Sequence, residues 1–421
     1  MPQTQPQSKC DLAEKLTAEN VGGIIPKPTG ENVGGIIAKP TGENKCSRGR
    51  SAVGRGAVSR SAVSRAVSRA VGRAVGRRGS SVVSRAKVSE TTRAGYGETC
   101  AKVILFGEHS VVYGHPAVAL PLKNLKMRAT VTGCKSSKNN ENGANNADVT
   151  NNADSRITLT CLDFTGPLCE IPQRLYSVRT AIKAALEFAE WDGQALHITT
   201  KADFPPERGL GSSAAAAGAV IRAILDYYNI KAKEKQIFEL TQTAERIAHG
   251  HPSGLDATAT AASWPVRFQH GKFSRMDINM RAWIILADSG HKGMTRVTVE
   301  ALRKYLKSQP ETVSKLLEEL GRLAAEAEYD LANGRAKNMG ERMTRAHKIL
   351  AELGVSTPQL DSLVRTACEH GALGAKLTGG GGGGCVIALA ESAEDARKVS
   401  AALREAGARN TWIVDISSGR E

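Results

Sequence analysis

The stretch PPERGLGSSAAAAGAVIRAILDYY (residues 205–228) places a glycine-bearing turn directly before an apolar helix. Gly209 and Gly211 have no side chains, so a ligand can approach the backbone closely at this turn. Ser212 and Ser213 open the alanine-rich helix, whose free amide groups and dipole attract an anion. The segment alone predicts either a phosphate site or a tight turn that ends in a serine N-cap.

A second glycine-rich segment, AKLTGGGGGGCVIALA (375–390), carries six consecutive glycines at 379–384, immediately before an apolar strand. Ordering a glycine backbone is entropically unfavourable, so a purely structural loop rarely needs six of them. A flexible linker is the alternative, but this run lies between a predicted helix and a predicted buried strand. The pattern favours a backbone clamp on the phosphates or the reacting end of a ligand.

A third segment, AKVILFGEHSVVYG (101–114), begins as a strand and breaks at Gly107. Lys102 lies at its start, and Glu108 and His109 follow the break. Titratable groups at strand ends often line clefts, although each of these alone also fits a solvated or a core position. The segment therefore predicts candidate cleft residues at the ends of a buried strand.

Two carboxylates lie close together in TAERIAHGHPSGLDATAT (243–260), with Glu245 in a predicted helix and Asp256 after a turn. Phosphorylation of an alcohol needs a metal-binding carboxylate and a group that orients or deprotonates the hydroxyl. Glu245 and Asp256 are suited to these two roles. The alternative is a solvated Glu245 and an Asp256 that caps the next helix.

The order of predicted elements indicates the fold class. From residue 96 onward, strands and helices alternate in two blocks that divide near residue 275. This order predicts an α+β protein with domains at 96–275 and 276–421. Residues 1–95 differ, because they contain two near-identical twelve-residue repeats at 19–42 and then an Arg-Ala-Val-Ser/Gly cycle. Their composition predicts a low-complexity basic tail that is either disordered or a gene-model extension.

The basic charge is concentrated in that tail. The whole chain has a formal charge of +15, and residues 1–95 hold 17 Lys and Arg against 6 Asp and Glu. The body is therefore close to neutral, and we expect it to bind no nucleic acid. Nucleic-acid binding through residues 46–93 stays open as an alternative function.

The eight cysteines are scattered and show no zinc-binding spacing, which favours a reducing compartment. The N-terminus has no apolar signal core, and no run approaches the ~18 apolar residues of a membrane span. We therefore expect a cytoplasmic protein without a membrane partner.

Four segments together resemble motifs of the GHMP small-molecule kinases. KVILFGEHSVVYG (102–114) is similar to their first motif, PPERGLGSSAA (205–215) to their phosphate loop and KLTGGGGGGC (376–385) to their third motif. HGHPSGLD (249–256) is similar to the segment that carries their catalytic aspartate. The resemblance covers about residues 97–421. It implies the two-domain GHMP kinase fold, with a βαβ-rich N-terminal ATP-binding domain and a ferredoxin-like C-terminal domain.

Within the family, the likeness is greatest to the members that phosphorylate mevalonate. It implies ATP-dependent phosphorylation of (R)-mevalonate to 5-phosphomevalonate in isoprenoid biosynthesis. Mevalonate and ATP would be the partners and Mg²⁺ the cofactor, and a homodimer is compatible with it. Another small-molecule kinase of the family, acting on phosphomevalonate or homoserine, is the alternative.

The resemblance also implies roles for individual residues. Asp256 and Lys102 match the catalytic residues of the family, and Ser213 and Glu245 match the Mg²⁺ ligands. The other positions form two sets: nucleotide-binding Gly209, Leu210, Gly211, Ser212 and Ser213, and substrate-binding Glu108, His109, Thr295, Gly380 and Gly381.

Two positions depart from the family pattern. The phosphate loop of the family usually reads Gly-Ala-Gly where this chain has Glu207, Arg208 and Gly209. Glu207 would place a carboxylate near the triphosphate unless it points away, and Arg208 could offset that charge. Gly380 stands where alanine is common, and we expect the added flexibility to be tolerated.

Overall fold

The computed structural model describes residues 93–134, 153–249 and 252–417. Residues 1–92 of the expected tail (1–95), with most of the segment considered for nucleic-acid binding, lie outside the described residues. The same holds for the asparagine-rich connection at 135–152. The described residues build two sheets, each with its own helices.

The first sheet has seven strands in the described ranges and is organised by a long antiparallel hairpin of β1 (Ala94–Phe106) and β2 (Ala117–Gly133). Its other strands are β3 (Ile157–Cys161), β4 (Phe164–Pro167), β5 (Leu196–Ala202), β6 (Val266–Gln269) and β7 (Lys272–Arg275). The order is β4-β3-β5-β2-β6-β7, with β1 paired to β2. The pair of β3 and β5 is parallel. A register shift between Cys100 and Ala101 interrupts β1 just before Lys102.

Helix α2 packs closely on β1 because both surfaces carry small residues. The helices that accompany this sheet are α1 (Tyr176–Phe188), α2 (Ser212–Tyr227), α3 (Glu234–His249) and α4 (Leu255–Ala261). Ala214, Ala215 and Ala217 are fully buried, and a side chain at Gly97 of β1 would overlap the carbonyl of Ala219. The close approach of strand and helix brings the start of α2 next to the middle of β1.

The second sheet is ferredoxin-like, as the family resemblance implies. Its strands are β8 (Trp283–Asp288), β9 (Gly374–Thr378), β10 (Cys385–Ala390) and β11 (Asn410–Asp415), in the order β11-β8-β10-β9. All three neighbouring pairs are antiparallel. Counted along the chain, the strand order is fourth, first, third, second, which is the order of the ferredoxin-like βαββαβ unit.

The predicted helical stretch at 295–373 contains four helices in succession. They are α5 (Thr295–Ser308), α6 (Pro310–Ala332), α7 (Ala336–Glu352) and α8 (Pro358–Glu369), and α9 (Ala393–Glu405) connects β10 to β11. Proline stands in the first turn of α6 and of α8, where its missing amide leaves no hydrogen bond unmade. None of the helices in the described ranges has both the length and the apolar composition needed to cross a membrane.

Candidate active site

The two glycine-rich loops contact each other directly, backbone against backbone. Gly209 has a φ of +80° and Gly379 a φ of +82°, a left-handed conformation that glycine adopts without strain. A Cβ built on Gly379 would lie 3.0 Å from Gly209 Cα, and one built on Gly209 would lie 3.1 Å from Thr378 O. The absence of side chains therefore lets the predicted phosphate loop and the hexaglycine run meet at one place.

Gly211 joins the phosphate loop to α2 and holds it against Lys102. It has a φ of +72° and is the N-cap of α2, so the first amides of the helix have no capping side chain. Lys102 N donates to Leu210 O at 3.0 Å, and a Cβ on Gly211 would lie 3.0 Å from Lys102 Cε. The helix start at Ser212 and Ser213 therefore presents uncapped amides next to a lysine, an arrangement suited to an anion.

Lys102 and Asp256 form an ion pair at the same place. Lys102 Nζ lies 2.9 Å from Asp256 Oδ1, and the side chains are 2% and 38% exposed, respectively. Gly254, with a φ of +95°, precedes α4 and places Asp256 in the first turn of that helix. A fixed ammonium group beside a half-exposed carboxylate offers a hydrogen-bond acceptor that a ligand hydroxyl can reach, with a positive charge next to it.

The hydroxyl of Ser213 points at Glu245 of α3. Ser213 Oγ donates to Glu245 Oε1 at 2.7 Å, and Ser177 Oγ of α1 lies 3.1 Å from the same hydroxyl. Glu245 is buried, so packing fixes its carboxylate. Hydroxyl and carboxylate oxygens are the kind of ligand that Mg²⁺ takes together with phosphate oxygens. The donor set therefore fits a magnesium ion bound with a nucleotide.

The Glu108 side chain is buried just after the end of β1. It forms a buried ion pair with Lys376 of β9, in which the two side chains are 1% and 0% exposed. Burial raises the pKa of Glu108 and lowers the pKa of Lys376, and the charge of each partner opposes the shift of the other. In this structure, the carboxylate of Glu108 is engaged by a lysine from the second sheet.

His109 and α5 meet at the carbonyl of Gly380. His109 Nε2 lies 3.0 Å from Gly380 O, and Thr298 Oγ1 lies 2.7 Å from the same oxygen. Burial lowers the pKa of His109 to about 4, so the ring is neutral at physiological pH. Because a carbonyl only accepts, Nε2 carries the proton and donates it.

Thr295 is the first residue of α5 and contacts the hexaglycine run at Gly380. A Cβ on Gly380 would overlap the Thr295 side chain and backbone, so the alanine common in the family would require the helix start to move. Met294 N donates to Gly381 O at 2.9 Å, which fixes the neighbouring residue of the run. Thr295, Gly380 and Gly381 therefore lie together, next to His109.

Glu207 directs its charge to the surface. Its φ is +60°, a left-handed conformation that is uncommon for residues other than glycine. Its carboxylate pairs with Lys292, with Oε2 2.5 Å from Nζ, and both side chains are largely exposed. The glycine typical of the family would adopt the same backbone without strain.

Arg208 ties the phosphate loop to the second sheet. It is buried, its Nε donates to Asp288 Oδ1 at 2.7 Å, and its Nη2 donates to Gly290 O at 3.1 Å. Asp288 is the last residue of β8 and is fully buried. The side-chain contacts of Arg208 thus lie with the end of β8 and not with the carboxylate of Glu207.

Several residues that shape the site were not singled out from the sequence: Ser177, Asp288, Thr298 and Lys376. Lys376 had a usable signal, since it is a lone charge between apolar residues in the quoted third motif. Thr298 follows Thr295 by one helical turn. Ser177 and Asp288 had no local signal, because their partners are distant in the sequence.

Comparison with protein families places both halves of the body in one group. Residues 177–263 match the family described as GHMP kinases N terminal domain, and residues 298–409 match the one described as GHMP kinases C terminal. The chain is 35% identical over 318 residues to the mevalonate kinase of Thermococcus sibiricus, and the aligned region covers 73% of this chain and 92% of the relative. It is 33% identical over 323 residues to the mevalonate kinase of Pyrococcus furiosus, with coverages of 75% and 94%.

Solved structures show the same architecture. The mevalonate kinase of Methanococcus jannaschii superposes with a TM-score of 0.62 at 25% identity, covering 77% of this chain and 99% of that protein. The L. major mevalonate kinase, solved in complex with R-mevalonate, has a TM-score of 0.63 at 24% identity and covers 77% of this chain and 96% of that one. At this identity the second comparison supports the fold alone.

Proposed function

Since the chain belongs to the GHMP kinase family, we propose that it transfers the γ-phosphoryl group of ATP to the 5-hydroxyl of (R)-mevalonate. The observation that carries this proposal is the Lys102–Asp256 pair beside the junction of the two glycine loops. A triphosphate held by the start of α2 would present its end to a carboxylate that can receive an alcohol. The choice of mevalonate rests on the relatives that are 33–35% identical and bear that name.

The side chains of the pair divide the work of an in-line transfer. Asp256 accepts the hydrogen bond of the substrate hydroxyl and takes its proton as the new O–P bond forms. The bond from the γ-phosphorus to the β–γ bridging oxygen breaks, and ADP leaves with the electron pair. The Lys102 ammonium group and the amides of the glycine loops stabilise the negative charge that develops on the transferring oxygens.

Ser213 and Glu245 would hold the magnesium ion. When bound, Mg²⁺ would neutralise phosphate charge and orient the triphosphate for transfer. The protein contributes a carboxylate fixed by burial and a hydroxyl that already points at it. Ser177 supports this arrangement as a neighbour of the Ser213 hydroxyl.

Replacing Glu245 by Gln should raise the Mg²⁺ concentration for half-maximal rate by about tenfold, because a neutral amide oxygen is a weaker metal ligand than a carboxylate. Initial rates measured against Mg²⁺ at saturating ATP test this. Glu234→Gln on the same helix is the matched control, since Glu234 is exposed and pairs with Arg222. A metal titration that is unchanged in Glu245→Gln would remove Glu245 from the ligand set.

Replacing Glu207 by Gly should lower the KM for ATP by about twofold, because it removes a half-exposed carboxylate and frees the ammonium group of Lys292 that this carboxylate now neutralises. The loop should also relax, since the left-handed backbone of a residue other than glycine costs about 1–2 kcal/mol. Glu207→Gln separates the effects, because it removes the charge and keeps the strained backbone. A KM for ATP that rises in both variants would show that the carboxylate supports nucleotide binding.

A panel of alcohols tests the proposed substrate. ADP release by the full chain is measured by a coupled assay with mevalonate, phosphomevalonate, homoserine and galactose in turn. We expect ADP release with mevalonate alone. ADP release with another alcohol and none with mevalonate would support the kinase activity but assign it a different substrate.

Three expectations from the sequence stay predictions: the cytoplasmic location, the homodimer and the domain boundaries near residues 96 and 275. DNA binding through residues 46–93 is a separate question, answered by whether the chain retains labelled DNA at increasing salt.

A further inference from the structure

A second ion pair, formed by Glu108 and Lys376, is fully buried. Glu108 follows β1 and Lys376 belongs to β9, so the pair connects the first sheet to the second. Lys376 Nζ also donates to Leu377 O at 2.8 Å. Desolvation of two buried charges is unfavourable, and removing one partner leaves an uncompensated charge in the core. Such a pair therefore affects the electrostatic interactions of the other charged side chains near it.

Lys102 is one of the charges that act on this pair. Burial raises the pKa of Glu108, and the ammonium groups of both Lys376 and Lys102 oppose that rise. Lys102 therefore lies within electrostatic reach of two carboxylates, Asp256 at 2.9 Å and Glu108. Because Lys376 supplies the direct counter-charge of Glu108, the ammonium group of Lys102 is left to pair with Asp256.

The ion pair belongs to a row of contacts between the same two segments. Thr378 Oγ1 donates to Ile104 O at 2.8 Å, two residues beyond Lys376. Gly380 O, two residues further, accepts from His109 Nε2. Lys376 and Thr378 are alternate residues of β9 and lie on one side of it, and Gly380 follows in the glycine loop, so all three meet the end of β1 and the turn after it. Lys376 is the charged member of this row.

We propose that Lys376 is a positioning residue of this kinase, which occupies Glu108 and thereby keeps Lys102 on Asp256. The inference rests on the proposed function, because it assigns Lys102 to the transferring phosphoryl group. In the absence of the Lys376 charge, Glu108 would be a buried carboxylate without its ion-pair partner, and Lys102 would be the remaining cation that acts on it. The ammonium group of Lys102 would then be drawn towards Glu108 and away from the reacting oxygens.

A double-mutant cycle with near-isosteric replacements tests the proposal. Lys376→Met should lower kcat about 30-fold or more while the KM for ATP changes less than threefold, because the nucleotide site itself is untouched. Adding Glu108→Gln to it should restore kcat to within about fivefold of wild type, since contacting charges are strongly non-additive. A role in folding alone would lower the unfolding midpoint but leave the kcat of the folded fraction unchanged, and that result would overturn the proposal.

If Lys376→Met does not fold, the comparison moves to Glu108→Gln with and without Lys376→Met. The proposal expects the two proteins to have similar kcat values, because a neutral Glu108 position no longer attracts Lys102. A kcat that is lower by about tenfold or more in the double variant would contradict it.

Urea unfolding provides a readout that does not need turnover and so separates this inference from the proposed substrate. Lys102→Met should destabilise the Lys376→Met protein more than it destabilises wild type, because Lys102 is then the remaining counter-charge of Glu108. If Lys376→Met alone is unfolded, the effect of Lys102→Met on stability is measured in the Glu108→Gln protein instead. There Lys102→Met should destabilise the protein only as much as it destabilises wild type. Equal effects of Lys102→Met in the first comparison, or a larger effect at Glu108→Gln, would refute the coupling even if mevalonate proves to be the substrate.

Discussion

Asp256→Asn should lower kcat by about 1000-fold, within the range that a positioned general base contributes. The amide keeps the size of the side chain and its place in the first turn of α4, but it cannot take the proton of the substrate hydroxyl. It also leaves Lys102 without the carboxylate that lies 2.9 Å from its ammonium group. The KM for ATP should change little, because the phosphates are held by the glycine loops and the start of α2.

Single-turnover kinetics and nucleotide titration check this expectation. Asp277→Asn is the matched control, because Asp277 makes an ion pair with Arg275 at an exposed position. The control should retain full activity. Wild-type turnover in Asp256→Asn would exclude Asp256 from the transfer step, and loss of ATP binding would show that its role is in the nucleotide site.

Gly379→Ala should lower kcat/KM for ATP by about 100-fold, the loss expected when a reacting group is displaced by roughly 1 Å. The new Cβ would lie 3.0 Å from Gly209 Cα, and a backbone cannot rotate away as a side chain can. The hexaglycine run and the phosphate loop would have to separate. Substrate and nucleotide would then be held by loops at the wrong spacing.

Alanine at position 379 would also be strained by the left-handed backbone, and this effect must be separated from that of the close contact with Gly209. Gly271, in the turn between β6 and β7, has a φ of +72° and no atom within 4 Å of its Cβ position. Gly271→Ala therefore pays the conformational penalty of about 1–2 kcal/mol without the contact. If Gly379→Ala matched Gly271→Ala in kcat/KM, the close approach of the two loops would be irrelevant to catalysis.

Local sequence was a good guide wherever one segment fixes its own conformation. Gly211, followed by serines and alanines, predicted a helix that begins at Ser212, and α2 begins there. The ferredoxin-like second sheet was implied by the family resemblance and is confirmed by the strand order. By contrast, β9 was not predicted, because GAKLT is short and buried throughout, so it lacks the alternation that marks a half-exposed strand.

Contacts between distant segments were beyond the reach of sequence reasoning. The substrate-binding role of Glu108 stays a prediction from the family resemblance, but its ion-pair partner Lys376 lies 268 positions away and could not be read from the local sequence. Arg208 reads as a phosphate-loop cation, and it lies instead on Asp288.

The sequence by itself determined which residues carry the chemistry: bare glycine backbone, serine hydroxyls, a lysine and two carboxylates, each in a recognisable segment. Those properties are local, since they follow from side-chain type and from the conformations that neighbouring residues allow. Only the tertiary structure decided which charges pair, with Lys102 on Asp256 and Lys376 on Glu108. The physical reason is that the strength of a charge interaction depends on distance and burial, and both are set by how the two sheets pack and not by any stretch of chain.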